Sequence, residues 1–276
     1  MDQKTIIITG ASSGIGEAAA RTLAQTGDRI VIIGRSPKRT QAVAEDIGAE
    51  HFVADFSSLD QVRELAITLK KSYPRIDLLA NNAGSIMGRR ELTQDGYEST
   101  FQVNHLAPYL LTRTLENVLL ASKAKVISTS SVAHRLFGQL DLNDLSSTKK
   151  YSSNLAYGNA KLANILFTKE LHRRFTAEGL NAAAFHPGGV ATNFSAGSKS
   201  YLRFLYGSGL RTYMLTPAQG AHTLVWLALG EPGIDWFSGG YYARSRPARI
   251  SRQANDPDVA QQLWQRSEEM VEPWLP

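Results

Sequence analysis

The chain contains no cysteine among its 276 residues. This absence excludes disulfides, thiol nucleophiles and thiolate metal sites, and it is compatible with a reducing compartment. Long apolar runs are missing from the N-terminus as well, because the segment MDQKTIIITG has only a few consecutive apolar residues. Such a run is too short for the apolar region of a signal peptide or for a membrane span. The sequence therefore predicts a cytoplasmic protein with no membrane span.

Linkers, repeats and strong charge blocks are also missing, so we expect one domain over residues 1–276. The net charge is +5, and its basic residues are mostly scattered. A nucleic-acid partner would require a basic stripe with stacking aromatics, which the sequence lacks. The six histidines show no spacing typical of metal ligands. We therefore predict neither a nucleic-acid partner nor a metal site.

Short apolar runs alternate along the chain with amphipathic segments of helical length. This alternation is typical of βαβ units, in which helices cover both faces of a parallel sheet. The predicted fold class is α/β, a single-domain doubly wound Rossmann fold with a sheet of about seven parallel strands. The predicted strands are Thr5–Thr9, Ile30–Ile33, His51–Ala54, Leu78–Ala80, Lys125–Ser128, Ala182–Phe185 and Gly240–Ala243. The predicted helices are Ile15–Gln25, Arg39–Asp46, Leu59–Lys71, Tyr97–Leu120, Asn154–Thr176, Pro217–Leu229 and Asp258–Val271.

A glycine-rich turn, TGASSGIG, joins the first predicted strand to the first predicted helix. The missing side chains of Gly10, Gly14 and Gly16 let the backbone approach a pyrophosphate, while free N–H groups and the helix dipole supply positive potential. The spacing G-x-x-x-G-x-G is wider than the G-x-G-x-x-G fingerprint. The pattern favours a phosphate-binding turn, and the alternative is a flexible Gly/Ser turn.

The second predicted strand ends at Gly34-Arg35, where such folds face the adenosine ribose. An acidic residue there would bind a 2′-hydroxyl and repel a 2′-phosphate, whereas a guanidinium binds phosphate. Arg35 therefore favours NADP(H), with Lys38 or Arg39 as further candidates. The alternative is that these basic residues only occupy an exposed turn.

Tyr157 and Lys161 lie four residues apart in a predicted helix, so both project from one face. A phenol is a poor acid–base catalyst near neutral pH, and an adjacent ammonium would lower its pKa. The pair is a weak signal by itself. Its alternative is an exposed aromatic beside a solvated lysine.

The ordered set of motifs makes the chain resemble the short-chain dehydrogenase/reductase family along nearly its whole length. The motifs, in chain order, are TGASSGIG, Asp55, Asn81-Asn82-Ala83-Gly84, Phe101-Gln102-Val103-Asn104, Ser130-Ser131, Tyr157-x-x-x-Lys161 and Pro187-Gly188. Ser131 and Tyr157 are farther apart than is common in the family. The intervening segment around Leu140–Leu145, together with Leu162–Phe167, resembles the retinol dehydrogenase and WW-domain oxidoreductase branch.

The resemblance implies a catalytic set of Asn104, Ser131, Tyr157 and Lys161. Tyr157 would be the general acid or base, and Lys161 would lower its pKa and bind the nicotinamide ribose. Ser131, preferred over Ser130 by motif position, would hold the substrate oxygen, while Asn104 would orient a water that links Lys161 to solvent. The implied cofactor-binding residues are Gly10, Ser12, Ser13, Gly14, Ile15, Gly16, Arg35, Asp55, Phe56, Asn82, Ala83, Gly84, Tyr157, Lys161, Pro187, Gly188, Val190 and Thr192.

The function predicted from these residues is an NADP(H)-dependent oxidoreductase, a carbonyl reductase or alcohol dehydrogenase. The alternative is a non-catalytic NADP(H)-binding regulator, since a fold does not determine function. The long connection 188–216 carries many apolar side chains and is predicted to form a lid over a bulky apolar substrate. The alternatives are a short helix packed permanently on the core, and a segment that makes a subunit or membrane-surface contact. The resemblance also implies a homodimer or homotetramer that associates through the predicted helices Tyr97–Leu120 and Asn154–Thr176.

Overall fold

The computed structural model describes residues 3–190 and 215–276 of the chain. The strands within these residues are β1 Thr5–Thr9, β2 Arg29–Gly34, β3 Glu50–Val53, β4 Leu78–Asn81, β5 Lys125–Thr129, β6 Asn181–His186, β7 Gly240–Ala243 and β8 Arg246–Pro247. They form one eight-stranded sheet in the order β3-β2-β1-β4-β5-β6-β7-β8. Neighbouring strands from β3 to β7 pair in parallel, and β8 runs antiparallel to β7.

Helices connect the strands. They are α1 Gly14–Ala24, α2 Pro37–Ile47, α3 Leu59–Ser72, α4 Ser99–Phe101, α5 Ala107–Thr114, α6 Glu116–Ala121, α7 Ala133–Leu136, α8 Ser153–Phe175, α9 Pro217–Leu229 and α10 Pro257–Val271. A π-helical turn, Gln102–Leu106, links α4 to α5. Among the helices of the described residues, none combines the length and apolar character that crossing a bilayer requires.

The central strands of the sheet, β1, β2, β4, β5 and β6, are buried on both faces, whereas the edge strands β3 and β8 are largely exposed. Successive side chains of a strand point to opposite faces, so Ile7 packs against one helical layer while Ile6 and Ile8 pack against the other. The first layer contains α3, α5, α6, α8 and α10, and the second contains α1, α2 and α9. This burial explains why the strands read as nearly continuous apolar runs rather than as an alternating pattern.

The strand order reverses beside β1. From β1 the chain moves outward to β2 and β3, then returns to β4 on the other side of β1 and continues outward through β5, β6 and β7. In open α/β sheets, ligands bind beyond the carboxyl ends of the strands at such a reversal. The candidate site is therefore expected where β1 and β4 end.

The predicted α/β fold is confirmed, with eight strands where the sequence predicts about seven. The prediction of one continuous helix over Tyr97–Leu120 is wrong, because the segment divides into α4, the π-helical turn, α5 and α6. Pro108 lies in the first turn of α5, where the missing N–H is tolerated but from which an uninterrupted α-helix cannot extend backwards.

Candidate active site

The phosphate-type turn between β1 and α1 is packed tightly against the residues that follow β4. Gly10 and Gly14 adopt left-handed backbone angles, with φ of 66° and 65°. A Cβ on Gly10 would lie 2.7 Å from the Cα of Ala83, and a Cβ on Gly16 would lie 2.5 Å from Nδ2 of Asn82. A side chain is therefore excluded by both conformation and space at Gly10, is disfavoured by conformation at Gly14 and is excluded by space at Gly16.

Thr9 connects the same two turns, although the sequence analysis did not single it out. Its hydroxyl donates to the carbonyl of Ala80 at 3.1 Å and accepts from the amides of Asn82 and Ala83, both at 2.9 Å. Nδ2 of Asn82 in turn donates to the carbonyl of Thr9 at 2.9 Å. A buried hydroxyl at the end of an apolar strand is the signal that could have identified this residue.

The N-terminus of α1 has the features of an anion site. Ser13 is the exposed N-cap residue, with extended backbone and no hydrogen bond from its side chain to the helix. The first amides of α1 therefore receive no acceptor from this side chain, and the helix dipole adds positive potential there. This arrangement suits a phosphate group.

Arg35 emerges directly after β2, next to the phosphate-type turn. A Cβ on Gly34 would lie 2.8 Å from Cβ of Ser12 and 2.3 Å from Oγ1 of Thr40, so the end of β2 touches that turn. The Arg35 side chain is exposed, and within the described residues it forms no hydrogen bond or ion pair. It is therefore free to bind a ligand phosphate.

Asp55 and Phe56 follow β3 and differ in their surroundings. Oδ1 of Asp55 accepts from the amide and the hydroxyl of Ser57, at 2.9 and 2.8 Å, and the residue is half-buried. Phe56 is 5% exposed and belongs to the hydrophobic core. The ring of Phe56 therefore has almost no surface for a ligand, whereas Asp55 is held in one orientation and is still accessible.

The two adjacent serines after β5 have separate contacts. The hydroxyl of Ser130 is buried and donates to the carbonyl of Lys161 at 2.7 Å. Ser131 is half-buried, and its hydroxyl accepts from the amide of Ala133 at 3.2 Å. The carbonyl of Ser131 accepts from Nδ1 of His134 at 2.6 Å, which anchors the turn. The Ser130 hydroxyl is thus already used in a hydrogen bond within the protein. The Ser131 hydroxyl only accepts in the contact described, so it can still donate a hydrogen bond to a substrate.

Tyr157 and Lys161 lie one turn apart on α8. Nζ of Lys161 is 5.5 Å from the centroid of the Tyr157 ring and donates to the carbonyl of Thr129 at 3.1 Å. Lys161 is 1% exposed, and burial lowers its pKa to about 7. The geometry supports direct electrostatic coupling between the ammonium and the phenol.

Asn104 lies in the π-helical turn, a distortion often found at functional sites. Its Nδ2 donates to the carbonyls of Ser85 and Thr100 at 2.7 and 2.8 Å. Its Oδ1 is buried and has no hydrogen-bond partner within the described residues. Oδ1 of Asn104 and Nζ of Lys161 lie 2.4 and 3.2 Å from the point that a Cβ on Gly84 would occupy. The absence of a side chain at Gly84 leaves room between them for a hydrogen-bonding group.

The segment after β6 closes another side of the site. Gly188 has a φ of 90°, and a Cβ there would lie 2.4 Å from Cδ1 of Leu215. The amide of Leu215 donates to the carbonyl of Gly189 at 2.9 Å, and Val190 packs close to Gly220 of α9. Pro187 is half-buried at the same strand end. Thr192, and residues 191–214 of the predicted lid, lie outside the described residues.

A dinucleotide fits these residues, because the structure has a glycine cradle and an N-cap without a side-chain bond. Within the described residues, it also has the exposed guanidinium of Arg35 and an amide oxygen of Asn104 without a hydrogen-bond partner. A doubly wound sheet with such a cradle and a Tyr/Lys pair defines a nucleotide-binding oxidoreductase. A family model described as short chain dehydrogenase matches residues 4–201. The chain belongs to this family.

Similar proteins agree with this assignment. The chain is 41% identical over 271 residues to the Streptomyces sp. (strain C5) protein that carries the name daunorubicin C-13 ketoreductase DnrU, covering 96% of this chain and 91% of that protein. It is 35% identical over 276 residues to retinol dehydrogenase 12 of Mus musculus, covering 97% and 86%. It is 37% identical over 288 residues to the WW domain-containing oxidoreductase of Danio rerio, covering 99% and 69%. The predicted branch of the family is therefore confirmed.

A solved structure of an uncharacterised protein from Mycobacterium paratuberculosis has the same fold. It superimposes with a TM-score of 0.79 at 32% sequence identity, covering 98% of this chain and 94% of that one.

Proposed function

We propose that the protein is an NADPH-dependent carbonyl reductase that acts on bulky apolar ketones or aldehydes and catalyses the reverse alcohol oxidation as well. The observation that carries this proposal is the position of Tyr157, whose ring centroid lies 5.5 Å from Nζ of Lys161 and whose ring packs with Ala133, two residues after Ser131. Nζ of Lys161 and Oδ1 of Asn104 both border the space left by the missing side chain of Gly84. A protein that only bound the nucleotide would need the cradle but not an acid–base group with its own buried cation.

In the proposed complex, the turn from Gly10 to Gly16 and the N-terminus of α1 bind the pyrophosphate, and Arg35 binds the 2′-phosphate. Asp55 contacts the adenine, and Asn82, Ala83 and Gly84 line the ribose region, with Pro187, Gly188 and Val190 beside the nicotinamide. Bound there, the cofactor supplies or accepts the hydride. The remaining chemistry falls to the side chains of the protein.

The proton moves through Tyr157. In reduction its hydroxyl donates to the carbonyl oxygen, and Ser131 holds that oxygen by a second hydrogen bond. The Lys161 ammonium stabilises the phenolate that remains. The unpaired Oδ1 of Asn104 accepts a hydrogen bond from a water, through which the proton of Tyr157 is replaced from solvent.

The surroundings of Tyr157 support an apolar substrate. Tyr157 forms a small hydrophobic cluster with Ile86 and Ala133, against which Phe137 packs. On the same short segment, Leu136 is 63% exposed. The names of the relatives, a daunorubicin ketoreductase and a retinol dehydrogenase, also refer to organic molecules far larger than a simple alcohol or aldehyde. Burial of apolar surface favours such substrates by about 25 cal/mol per Å².

The test measures NADPH oxidation by the wild-type protein with ketones and aldehydes of increasing apolar size. We expect Tyr157→Phe to lower kcat by about 10² to 10⁴ while NADPH affinity changes little, because the substitution removes only the hydroxyl. Tyr73→Phe is the control, since that hydroxyl bonds to Glu50 at the opposite edge of the sheet. Full activity of Tyr157→Phe would refute the proposed acid–base role.

A homodimer or homotetramer, and a cytoplasmic location, remain predictions from the sequence.

A further inference from the structure

The carbonyl of Thr129, the last residue of β5, accepts two hydrogen bonds from α8. One comes from Nζ of Lys161 at 3.1 Å and the other from Nδ2 of Asn164, also at 3.1 Å. A carbonyl oxygen has two lone pairs, so these two donors occupy its full accepting capacity. The hydroxyl of Ser130 donates back to the carbonyl of Lys161 at 2.7 Å. Three hydrogen bonds therefore connect the end of β5 to one turn of α8.

We propose that Asn164 is a positioning residue, which fixes the Thr129 carbonyl and thereby the direction in which the Lys161 ammonium points. This inference rests on the proposed function, because it assigns Asn164 to the proton-transfer machinery without placing it in contact with substrate.

Asn164 is an unexpected residue for its position. It is 4% exposed and stands within the apolar segment LANILF of α8, where an aliphatic side chain would satisfy the packing. Burial of an amide costs free energy unless its groups are hydrogen-bonded. The bond to the Thr129 carbonyl compensates the donor side of the amide, and the carbonyl is itself a contact of Lys161. The other titratable group in contact with Asn164 is His105, whose pKa burial lowers to about 4, so His105 stays neutral over the pH range in which tyrosine titrates. The amide is therefore placed where it acts on the lysine.

Lys161 depends on this carbonyl because it is buried. Its surroundings disfavour the charged form, and burial lowers its pKa to about 7. A hydrogen bond to the ammonium favours the charged form. If the carbonyl rotated away, Lys161 would lose an acceptor and would stabilise the Tyr157 phenolate less. The expected consequence is that Tyr157 titrates at a higher pH.

The variant that tests this idea is Asn164→Leu, which removes the donor while keeping a side chain of the same branched shape. We expect kcat to fall about tenfold, a fraction of the usual contribution of acid–base catalysis, with the KM for the carbonyl substrate within about twofold. In the alcohol-oxidation direction, the rising limb of kcat/KM against pH should move about 0.5 to 1 unit higher, because the phenolate has lost cationic support.

Thr168→Val is the matched control. Thr168 is one turn farther along α8 and 1% exposed, and its hydroxyl donates to the backbone carbonyl of Asn164 at 2.8 Å. Its loss perturbs the same helix without touching the Thr129 carbonyl, so the pH limb should stay in place. If Asn164→Leu does not fold, Asn164→Ala removes the same donor without adding apolar bulk. The kcat, the KM and the pH limb of kcat/KM then test the positioning role in Asn164→Ala.

A second readout separates this inference from the proposed function. The ultraviolet absorbance of tyrosinate is titrated for the wild type and for Asn164→Leu, each as a difference from the same protein carrying Tyr157→Phe. An upward shift in Asn164→Leu supports the positioning role even if no tested carbonyl is reduced, in which case the proposed function is the part that fails. Turnover by the wild type, combined with an unchanged titration, kcat and pH limb in folded Asn164→Leu, overturns the positioning role.

Discussion

Arg35 is the residue that decides the proposed preference for NADPH. Its guanidinium is exposed at the end of β2, beside the turn that contains Ser12. A charge-assisted bond to a 2′-phosphate contributes about 1.5 to 3 kcal/mol, equivalent to roughly ten- to a hundredfold in affinity. We expect Arg35→Asp to abolish or reverse the preference, measured as kcat/KM with NADPH and with NADH.

Arg29→Asp is the control for this prediction, because Arg29 is the first residue of the same strand, at the end of β2 opposite to Arg35, and is also exposed. Its substitution changes the net charge equally but lies far from the cradle. A wild-type preference for NADH, or an equal effect of both substitutions, would contradict the role given to Arg35.

We expect the buried Lys161 to lower the free energy of unfolding of the protein. In the absence of cofactor, it is a buried lysine whose burial lowers its pKa to about 7, whereas an unfolded chain holds this proton up to about pH 10.4. We expect Lys161→Met to raise the free energy of unfolding by about 1 to 4 kcal/mol at pH 6 while abolishing turnover. Urea denaturation at several pH values measures the effect.

The increase in the free energy of unfolding expected for Lys161→Met depends on pH in a defined direction. Between about pH 7 and pH 10 the unfolded wild type binds more protons than the folded form, so its free energy of unfolding rises with pH. The advantage of Lys161→Met is therefore largest below pH 7 and should shrink as the pH approaches 10. Lys71→Met, at an exposed position of α3, should change stability by no more than about 0.5 kcal/mol at any pH. A pH-independent gain would contradict the burial argument.

Single residues also show what the sequence could reveal about the site. Tyr157 and Lys161 were predicted together, since helical spacing brings them to one face. The contact of Lys161 with the Thr129 carbonyl could not be predicted. Every residue has a backbone carbonyl, so the sequence does not show which one the lysine contacts. Asn164 could be noticed in the sequence, because it is a polar residue within an otherwise apolar segment. Its partner Thr129, however, is distant in sequence. Packing of α8 on β5 had to be known first.

At the scale of elements, strands and long helices could be predicted because burial on both faces of the sheet imposes apolar runs and helical periodicity. The π-helical turn at Asn104 could not, because its five residues continue the helical pattern and differ only in hydrogen bonding, with the amide of Ala107 donating to the carbonyl of Gln102. Pro108 was the available warning that the predicted helix is interrupted. The short α7 likewise follows a turn held by Ser131 and His134 rather than a periodic pattern.

Trp264 is one of the residues through which the last helix, α10, packs on α5 and α8. The ring packs against Tyr109 and Phe167, with centroid distances of 5.2 and 5.7 Å, and contacts the guanidinium groups of Arg113 and Arg174 at 5.1 and 4.5 Å. Such cation–π contacts add to the large apolar area that a tryptophan buries. We expect Trp264→Leu to destabilise the protein by about 2 to 4 kcal/mol, measured by urea denaturation.

Trp274→Leu is the control at the end of the same C-terminal region. Trp274 is only half-buried, and its Nε1 donates to Asp60 in an exposed hydrogen bond of 2.9 Å. Its substitution should cost no more than about 1 kcal/mol. Equal effects of the two substitutions would show that α10 is not held by the contacts of Trp264.

Considered as a whole molecule, the chain covers the helical faces through which the resemblance implies association. Residues 156–168 of α8 are all buried within the single chain. α10 contributes to this cover, since Trp264 packs on Tyr109 and Phe167, and Ser267 bonds to His105 at 2.8 Å. A second copy cannot contact this buried part of α8 in the folded chain. A homo-oligomer should therefore use another surface.

Among the described residues, Leu229 at the end of α9 and Ile234 and Phe237 shortly after it are exposed apolar side chains, with 52, 79 and 67% of their surfaces exposed. Apolar side chains concentrated in so short a segment are typical of contact surfaces. We expect sedimentation at micromolar concentration to show a homo-oligomer that the double substitution Ile234→Lys and Phe237→Lys dissociates, because buried lysines at an apolar contact would lack partners. Ile67→Lys, at an exposed apolar position of α3, should leave the mass unchanged. A wild type that sediments at its monomer mass of 30.2 kDa would contradict association itself, whereas an oligomer that survives the double substitution would place the contact elsewhere.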